Sequence, residues 1–334
     1  MSDDISISVV ICTYNGESFI GEQIESILEQ TLLPKEIVIG DDGSSDCTIQ
    51  KIEGLKEKIE SKGISLRIFH NSHLGAHGNF KETLPKATCE FIAPCDQDDI
   101  WLPGKLEACY NALINKNAEL AYCNDIIRYE NGKELYMNIQ MPSILDHLWG
   151  SLIAGHLILV KKQLLDVYKV APTISFDYGL SLVAVCHNAI TKTHDAYCIW
   201  RRHKNVVTTE YSNHNKHPME KMGKWKKFCK ALYLSLNKNS SSEVVRERMT
   251  DIGIIIRAYA PNDLFYTNVI RVTDLLSKQT FASILESGYV YQKLKSNKSS
   301  VYAKYSYKNK FLARLYWFTY PACWWYDYRK YDSL

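Results

Sequence analysis

Short apolar runs that end abruptly in polar clusters, alternating with stretches of helical spacing, organise the first hundred residues. Ile5 to Cys12 is a continuous apolar run that stops at Thr13-Tyr14-Asn15-Gly16, the pattern of a strand buried on both faces and closed by a turn. Ile20, Ile24, Ile27 and Leu28 then recur at helical spacing. The unit repeats: Glu36 to Gly40 predicts a second strand, Asp41 to Asp46 its turn, and Ile49, Ile52 and Leu55 a helix for which Ser45 is the expected N-cap. Ser65 to Phe69 reads as a third strand, Asn79 to Ala87 as a short helix and Glu90 to Cys95 as a fourth strand. Strands alternating with helices predict an α/β fold with a parallel sheet and right-handed crossovers. Ligands in such sheets gather beyond the carboxyl ends of the strands. The clusters Thr13 to Asn15, Asp41-Asp42 and Asp96 to Asp99 all fall at those ends, so their convergence on one crevice is expected.

Further along, Pro103 to Asn115 predicts a helix with Leu106, Tyr110 and Leu113 on its apolar stripe. Glu119 to Tyr129 predicts a strand, Asn131-Gly132 a hairpin turn, and Gly155 to Lys162 another strand-like run. Val244 to Ser277 reads as helical. After Asn205 the composition changes, with Lys216, Lys221, Lys224, Lys226, Lys227 and Lys230 clustered around Trp225 and Phe228. Leu312 to Trp325 is dense in aromatic residues and flanked by Lys308, Lys310, Arg314, Arg329 and Lys330. One domain over 1–210 and a helical, basic and aromatic appendage over 211–334 are therefore expected. Rings beside cations suit a bilayer interface, and a C-terminal helix packed on the core or on a partner subunit suits the pattern equally. The acidic start Met1-Ser2-Asp3-Asp4 and the lack of a long apolar run predict neither signal peptide nor spanning helix.

The composition, 46% apolar and 23% charged over 334 residues, is that of a globular chain, and a net charge of +3 argues against nucleic acid as a general partner. The ten cysteines never form Cys-x-x-Cys and lie mostly in apolar runs, as reduced, buried thiols of a cytosolic protein do.

The densest chemistry is Phe91-Ile92-Ala93-Pro94-Cys95-Asp96-Gln97-Asp98-Asp99-Ile100-Trp101, where an apolar run ends in three carboxylates within four residues. Burying such acids without a counter-charge costs several kcal/mol. A divalent cation with oxygen ligands, carrying phosphate on its open side, answers that cost; a solvated acidic turn is the alternative for the motif alone. A nucleoside diphosphate would find an acceptor for a pyrimidine N3–H in Asp41 or Asp42, a stacking ring in Tyr14 and hydroxyl or backbone contacts at Thr13. Asp96 is placed for ribose or a metal-bound water and Asp98 for the metal itself, while Asp99 serves either that site or the cap of the next helix.

Ile7-Ser8-Val9-Val10-Ile11-Cys12-Thr13-Tyr14-Asn15-Gly16, Asp41-Asp42-Gly43-Ser44-Ser45-Asp46 and Asp96-Gln97-Asp98-Asp99-Ile100-Trp101 together resemble the nucleotide-sugar domain of glycosyltransferase family 2, with its GT-A fold, over about residues 5 to 210. Asp-Gln-Asp-Asp-Ile-Trp looks most like the rhamnosyltransferase-like and O-antigen transferases of bacteria. The resemblance implies an inverting transferase that uses Mn²⁺ or Mg²⁺. Its donor, a UDP-hexose or dTDP-rhamnose, would be bound at Thr13, Tyr14, Asn15, Asp41, Asp42, Asn79, Asp96, Gln97 and Arg201, and its metal at Asp98, Asp96 and His203. Asn71, Gly75 and Asn79 sit where the family's linking segment has its counterparts, whereas His73 and His77, four apart, read as two separate solvated imidazoles rather than a shared metal site. Phe176-Asp177-Tyr178-Gly179-Leu180 is similar to the family's His-Asp-Trp-Trp-Leu stretch, which makes Asp177 the candidate catalytic base; an N-cap of a helix Tyr178 to Val185 is its other reading. Phe176 and Tyr178-Gly179 depart from that pattern and leave the acceptor undefined. Ile199-Trp200-Arg201-Arg202-His203-Lys204-Asn205 resembles the family's Tyr-Arg-Gln-His-Gly-Asn segment, which puts Arg201 and His203 at the diphosphate or on a basic surface strand. The implied acceptor is a lipid-linked oligosaccharide at the inner face of the bacterial cytoplasmic membrane, with homo-oligomerisation left open. A non-catalytic nucleotide-sugar-binding subunit of a polysaccharide assembly complex is the alternative.

Overall fold

The structure, a computed structural model with side chains, describes residues 5–148, 153–203, 241–278 and 280–297. The lysine cluster around Trp225 and the aromatic stretch Leu312 to Trp325 lie outside the described residues. Two compact units are present, one drawn from 5–141 and 153–203 and the other from 142–148 and 241–297.

The first unit is a mixed α/β layer built on a nine-stranded sheet. In chain order its strands are β1 Ile7–Thr13, β2 Glu36–Asp41, β3 Ser65–His70, β4 Phe91–Asp96, β5 Ile100–Trp101, β6 Leu120–Tyr129, β7 Glu134–Met137, β8 Ile158–Lys161 and β9 Ile190–Arg202. Their order in space is β3-β2-β1-β4-β8-β6-β9-β5, with β7 paired to β6. The strands β3, β2, β1 and β4 run parallel, as the alternating pattern predicts, and β9 is parallel to β6. Beyond β4 the sheet departs from that pattern, because β8 is antiparallel to both β4 and β6. All residues of β1 and β2 are buried, which is why these runs carry no polar alternation. Ile7, Ile11, Ile24, Ile39, Phe91 and Leu113 belong to the core between sheet and helices.

Register positions the site. Thr13 stands opposite Asp41 on one side of β1 while Cys12 stands opposite Asp96 on the other, so three loops leave neighbouring strands at one level. Pro94 sits inside β4, opposite Val10. A proline has no N–H for a ladder and belongs at sheet edges. The β4–β8 ladder covers only Phe91 and Ile92, so at Pro94 the strand is paired on the β1 side alone.

The helices of this unit are α1 Ile20–Leu28, α2 Thr48–Gly54, α3 Lys56–Ser61, α4 Gly75–Thr83 and α5 Lys105–Lys116, followed, after α6 Ile144–His147 of the second unit, by α7 Val167–Val170 and α8 Phe176–Cys186. Several starts differ from the sequence expectation. Helix α4 begins four residues before Asn79, because both Asp42 oxygens accept its first backbone N–H groups, from Leu74 (2.7 Å) and Gly75 (2.8 Å). Ser45 does not cap α2: its N–H is bound by Asn15 Oδ1, and Asp46 Oδ1 instead accepts from Thr48 N at 3.0 Å. The run Gly155 to Lys162 splits into a 3₁₀ turn, Gly155–Leu157, and the shorter strand β8. The expected hairpin is present, β6 pairing with β7 around Gly132 at φ 77°. Among the described cysteines, Cys12, Cys89, Cys95, Cys109, Cys123, Cys186 and Cys198 are buried free thiols, and only Cys47 is exposed.

Glu36, at the start of β2, is buried and accepts from Ser8 Oγ (2.6 Å), Thr88 N (2.6 Å), Thr88 Oγ1 (2.9 Å) and Arg67 Nη1 (3.0 Å). Burial opposes its charge, but the bonds from Ser8, Thr88 and Arg67 outweigh burial and hold its carboxyl below the usual glutamate range. A depressed folded pKa gives stability that is complete above the unfolded pKa and lost as pH falls through the folded one. Glu36→Gln is therefore expected to cost about 2–3 kcal/mol at pH 7, and the difference from the native chain should shrink in urea melts repeated below about pH 4.

The second unit holds α6 Ile144–His147, α9 Ser241–Tyr259, α10 Leu264–Ser277 and α11 Phe281–Asn297. The segment Val244 to Ser277 is helical as expected and forms two helices, interrupted at Pro261, with Asp263 capping the second through Tyr266 N (2.8 Å). Helix α10 packs against α9 and α11, burying Met249, Ile252, Ile256, Val269, Val272 and Leu276. No helix of the described residues is long and apolar enough to cross a membrane.

Candidate functional site

The turn after β1 is held by side chains from the turn after β2. Thr13 Oγ1 donates to Asp41 Oδ1 (2.8 Å), Asn15 N donates to Ser44 Oγ (2.9 Å), and Gly16 N donates to Thr48 Oγ1 (2.8 Å). Asn15 takes the left-handed conformation, φ 48°. Asp41 also accepts from Gly43 N (3.2 Å) and Ser44 N (2.9 Å), which makes it the internal brace of its own turn. Tyr14 is gripped at its backbone by Gln97, whose Oε1 accepts from Tyr14 N and whose Nε2 donates to Tyr14 O, both at 3.0 Å. A Cβ at 16 would lie 2.1 Å from Gln97 Oε1, so a larger residue there would displace the Gln97 side chain from this grip. The grip leaves the Tyr14 ring half exposed and edge-on to His73, with centroids 6.1 Å apart. His73 itself packs over Gly43 and His77 lies against Phe176, so the two imidazoles face different partners.

Asn79 is buried beneath these turns. Its Nδ2 donates to Gly40 O (2.7 Å), and its Oδ1 accepts from Asn71 Nδ2 (2.8 Å). It ties the strand ends together from below.

The acidic loop after β4 is fixed at its backbone by β9. Arg201 Nε donates to Asp98 O (2.5 Å) and Nη2 to Asp99 O (3.2 Å), while Nη1 pairs with Glu22 and the guanidinium lies over the Phe19 ring at 4.9 Å. His203, stacked on the same Phe19 ring at 4.3 Å, brings Nε2 to 2.9 Å from Asp98 Oδ2. The Asp98 side chain is 22% exposed and that of Asp96 40% exposed, so both carboxylates reach the surface.

Asp99 goes the other way. It does not cap α5, whose N-cap is Gly104, but is fully buried with Oδ2 3.8 Å from His156 Nδ1 and 3.9 Å from Cys198 Sγ. Burial opposes the charge of His156, and Asp99, Asp125 and Asp96 around it prevail, holding the imidazole pKa well above its usual value. Lys105, equally buried, donates from Nζ to His156 O (2.6 Å) and lies 3.3 Å from the Trp101 ring centroid.

Asp177 is placed by its neighbour. The Phe176 ring stacks on Phe80 at 4.2 Å and covers Gly155, where a Cβ would meet it at 2.2 Å. Helix α8 is capped at Ser175, so Asp177 lies in its first turn and is not its N-cap; its Oδ1 accepts from Tyr178 N at 2.8 Å.

The structure thus brings Thr13, Tyr14, Asn15, Asp41, Asp42, Asp96, Gln97, Asp98, Arg201 and His203 around one set of adjoining loops, with Asn79 below them; Asp177 is on α8, next to Phe176, whose ring stacks on Phe80 of α4. Sequence reasoning missed Phe19, Lys105 and Asp125, none of which stands in an acidic motif, and gave His156 no role beyond its place in a run, Gly155 to Lys162, that resembles the family's segment beside the donor sugar. Asp96 and Asp98 keep partly exposed carboxylate oxygens, the ligand type that Mn²⁺ and Mg²⁺ take, and His203 Nε2 stands beside Asp98. Asp99, His156 and Cys198 form a separate, wholly buried group with ligand atoms within 4.8 Å.

The family model for glycosyl transferase family 2 matches residues 8–175. The chain is 33% identical over 123 residues to the UDP-Glc:alpha-D-GlcNAc-diphosphoundecaprenol beta-1,3-glucosyltransferase WfgD of Escherichia coli, covering 36% of this chain and 46% of that one. It is 32% identical over 163 residues to the dTDP-rhamnosyl transferase RfbG of Shigella flexneri, covering 48% and 56%. The chain therefore spans about half the length of these curated relatives. Its fold is similar to that of S. aureus TarS 1-349 solved in complex with UDP-GlcNAc, with a TM-score of 0.50 and 15% identity over 98% of this chain and 92% of that one. On the family match and the architecture together, this chain belongs to glycosyl transferase family 2 and has the GT-A fold.

Proposed function

We propose that the protein is a metal-dependent, inverting glycosyltransferase that moves a sugar from a nucleoside diphosphate, as a UDP-hexose or dTDP-rhamnose, to a hydroxyl of a lipid-linked oligosaccharide in bacterial surface polysaccharide synthesis. The observation that carries this reading is the junction of turns, Gln97 gripping Tyr14 while His203 meets Asp98. It sets an aromatic wall and an acidic edge on one pair of loops. Asp42 and Tyr14 hold the base, with Thr13, Asn15 and Asp41 shaping their turn. Asp96 faces the ribose, and Asp98, Asp96 and His203 would hold Mn²⁺ or Mg²⁺, which would supply positive charge to the diphosphate leaving group. Asp177 takes the proton of the acceptor hydroxyl as its oxygen attacks the anomeric carbon from the face opposite the departing diphosphate, which inverts that centre. Residues 1–210 form the transferase domain, and the region 211–334, whose sequence is rich in basic and aromatic residues, holds the enzyme at the inner surface of the cytoplasmic membrane, where such an acceptor resides.

Thermal melts with UDP-glucose, dTDP-rhamnose and GDP-mannose, each with and without Mn²⁺, test the reading. The melting temperature is expected to rise for one of the pyrimidine donors, and by more when Mn²⁺ is present. A flat response across the whole panel would sink it.

A further inference from the structure

Beneath the acidic loop lies an imidazole that the proposed reaction does not use. His156 is 3% exposed, yet its ring is ringed by carboxylates: Nδ1 stands 3.4 Å from Asp96 Oδ2 and 3.8 Å from Asp99 Oδ2, and Nε2 stands 3.6 Å from Asp125 Oδ2. Asp99 and Asp125 are themselves buried, and among the described residues Asp99 Oδ1, Asp125 Oδ1 and His156 Nε2 have no hydrogen-bond partner, so the ring meets Asp125 at ion-pair range only. The ring thus lies between two buried carboxylates, Asp99 and Asp125, and one that reaches the surface, Asp96. The three acids come from different places, Asp96 from the end of β4, Asp99 from the loop that follows it and Asp125 from the middle of β6. The position of the ring is itself fixed. Lys105 holds His156 O, Trp200 lies 5.6 Å from the ring, and Phe176 fills the space beside Gly155.

We propose that His156 is a positioning residue for the sugar-nucleotide site, its Nδ1 edge setting the carboxylate of Asp96 and its Nε2 edge anchoring that arrangement to Asp125 on β6. The proposal rests on the reading of Asp96 as part of the donor site. It goes beyond that reading by making one edge of one ring responsible for donor affinity and the other edge responsible for stability. A purely structural histidine would show no such division.

Asparagine and glutamine separate the edges, because the asparagine amide nitrogen replaces Nδ1 and the glutamine amide nitrogen replaces Nε2. Binding of UDP and dTDP in the presence of Mn²⁺, measured by titration calorimetry, is compared for the native chain, His156→Asn, His156→Gln and Asp125→Asn. His156→Gln is expected to bind about tenfold more weakly and to raise the donor KM by a similar factor. His156→Asn and Asp125→Asn should stay within about threefold of native affinity, although both melt earlier. Equal affinities for the two histidine variants, or a tenfold loss in Asp125→Asn, would overturn the proposal. If His156→Gln fails to fold, the other two variants still decide, since a tenfold loss in either one contradicts it. A native chain that binds neither nucleotide would bring down the functional reading, and this proposal with it.

Discussion

Asp98→Ala is expected to lower sugar transfer about a thousandfold or more, because removing a group that holds charge-neutralising machinery at a leaving group costs on that scale. The fold should survive. Arg201 grips this loop through Asp98 O and Asp99 O, which an alanine keeps, and the lost side chain is partly exposed with His203 as its partner. Release of nucleoside diphosphate from donor, Mn²⁺ and lipid-linked acceptor measures the first expectation, and a melting temperature within a few degrees of native measures the second. Undiminished transfer would refute the role given to Asp98. Adding Mn²⁺ should raise the melting temperature of the native chain in UDP but leave that of the variant nearly unchanged, which separates lost metal binding from a general defect.

Asp177→Asn should reduce turnover about a hundredfold to ten-thousandfold, the range ascribed to a positioned general base, and leave donor affinity as it was. The amide is nearly isosteric, and its oxygen can still accept from Tyr178 N as Oδ1 does now. The start of α8 is set by Phe176 against Phe80 and Gly155, not by the carboxylate. Single-turnover transfer and UDP titration on the same preparation test both halves. A normal rate would remove Asp177 as the base, and a rate loss accompanied by an equal loss of UDP affinity would move it to the donor side.

Sequence legibility followed the range of the interactions involved. The strands β1, β2 and β4 and their polar ends are plain in the sequence because both signals, an apolar run and its abrupt stop, lie within a few residues of one another. The start of α4 was misplaced because its cap, Asp42, comes from a turn more than thirty residues earlier. Ser45 looked like a cap for α2 by spacing alone, but Asn15 from the first turn takes its N–H. In the sequence, Gly155 to Lys162 has the pattern of one strand. Its first residues leave the sheet to place His156 among Asp96, Asp99 and Asp125, a grouping that only the folded topology creates. Asn79 is legible through the resemblance of its stretch to the family's linking segment, yet its use under Gly40 depends on the missing side chain of that glycine, where a Cβ would lie 2.8 Å from Asn79 Oδ1.

Pro94 carries a dynamic consequence. The ladder between β4 and β8 stops at Ile92, so the segment that leads into the acids owes no backbone bond to β8. Beyond Ile92 that segment is laddered to β1 alone, as far as Asp96 opposite Cys12, so small excursions during arrival of the nucleotide and departure of the spent diphosphate load the β1 ladder and spare β8. Amide exchange in β8 should then be indifferent to turnover even while the acidic loop breathes.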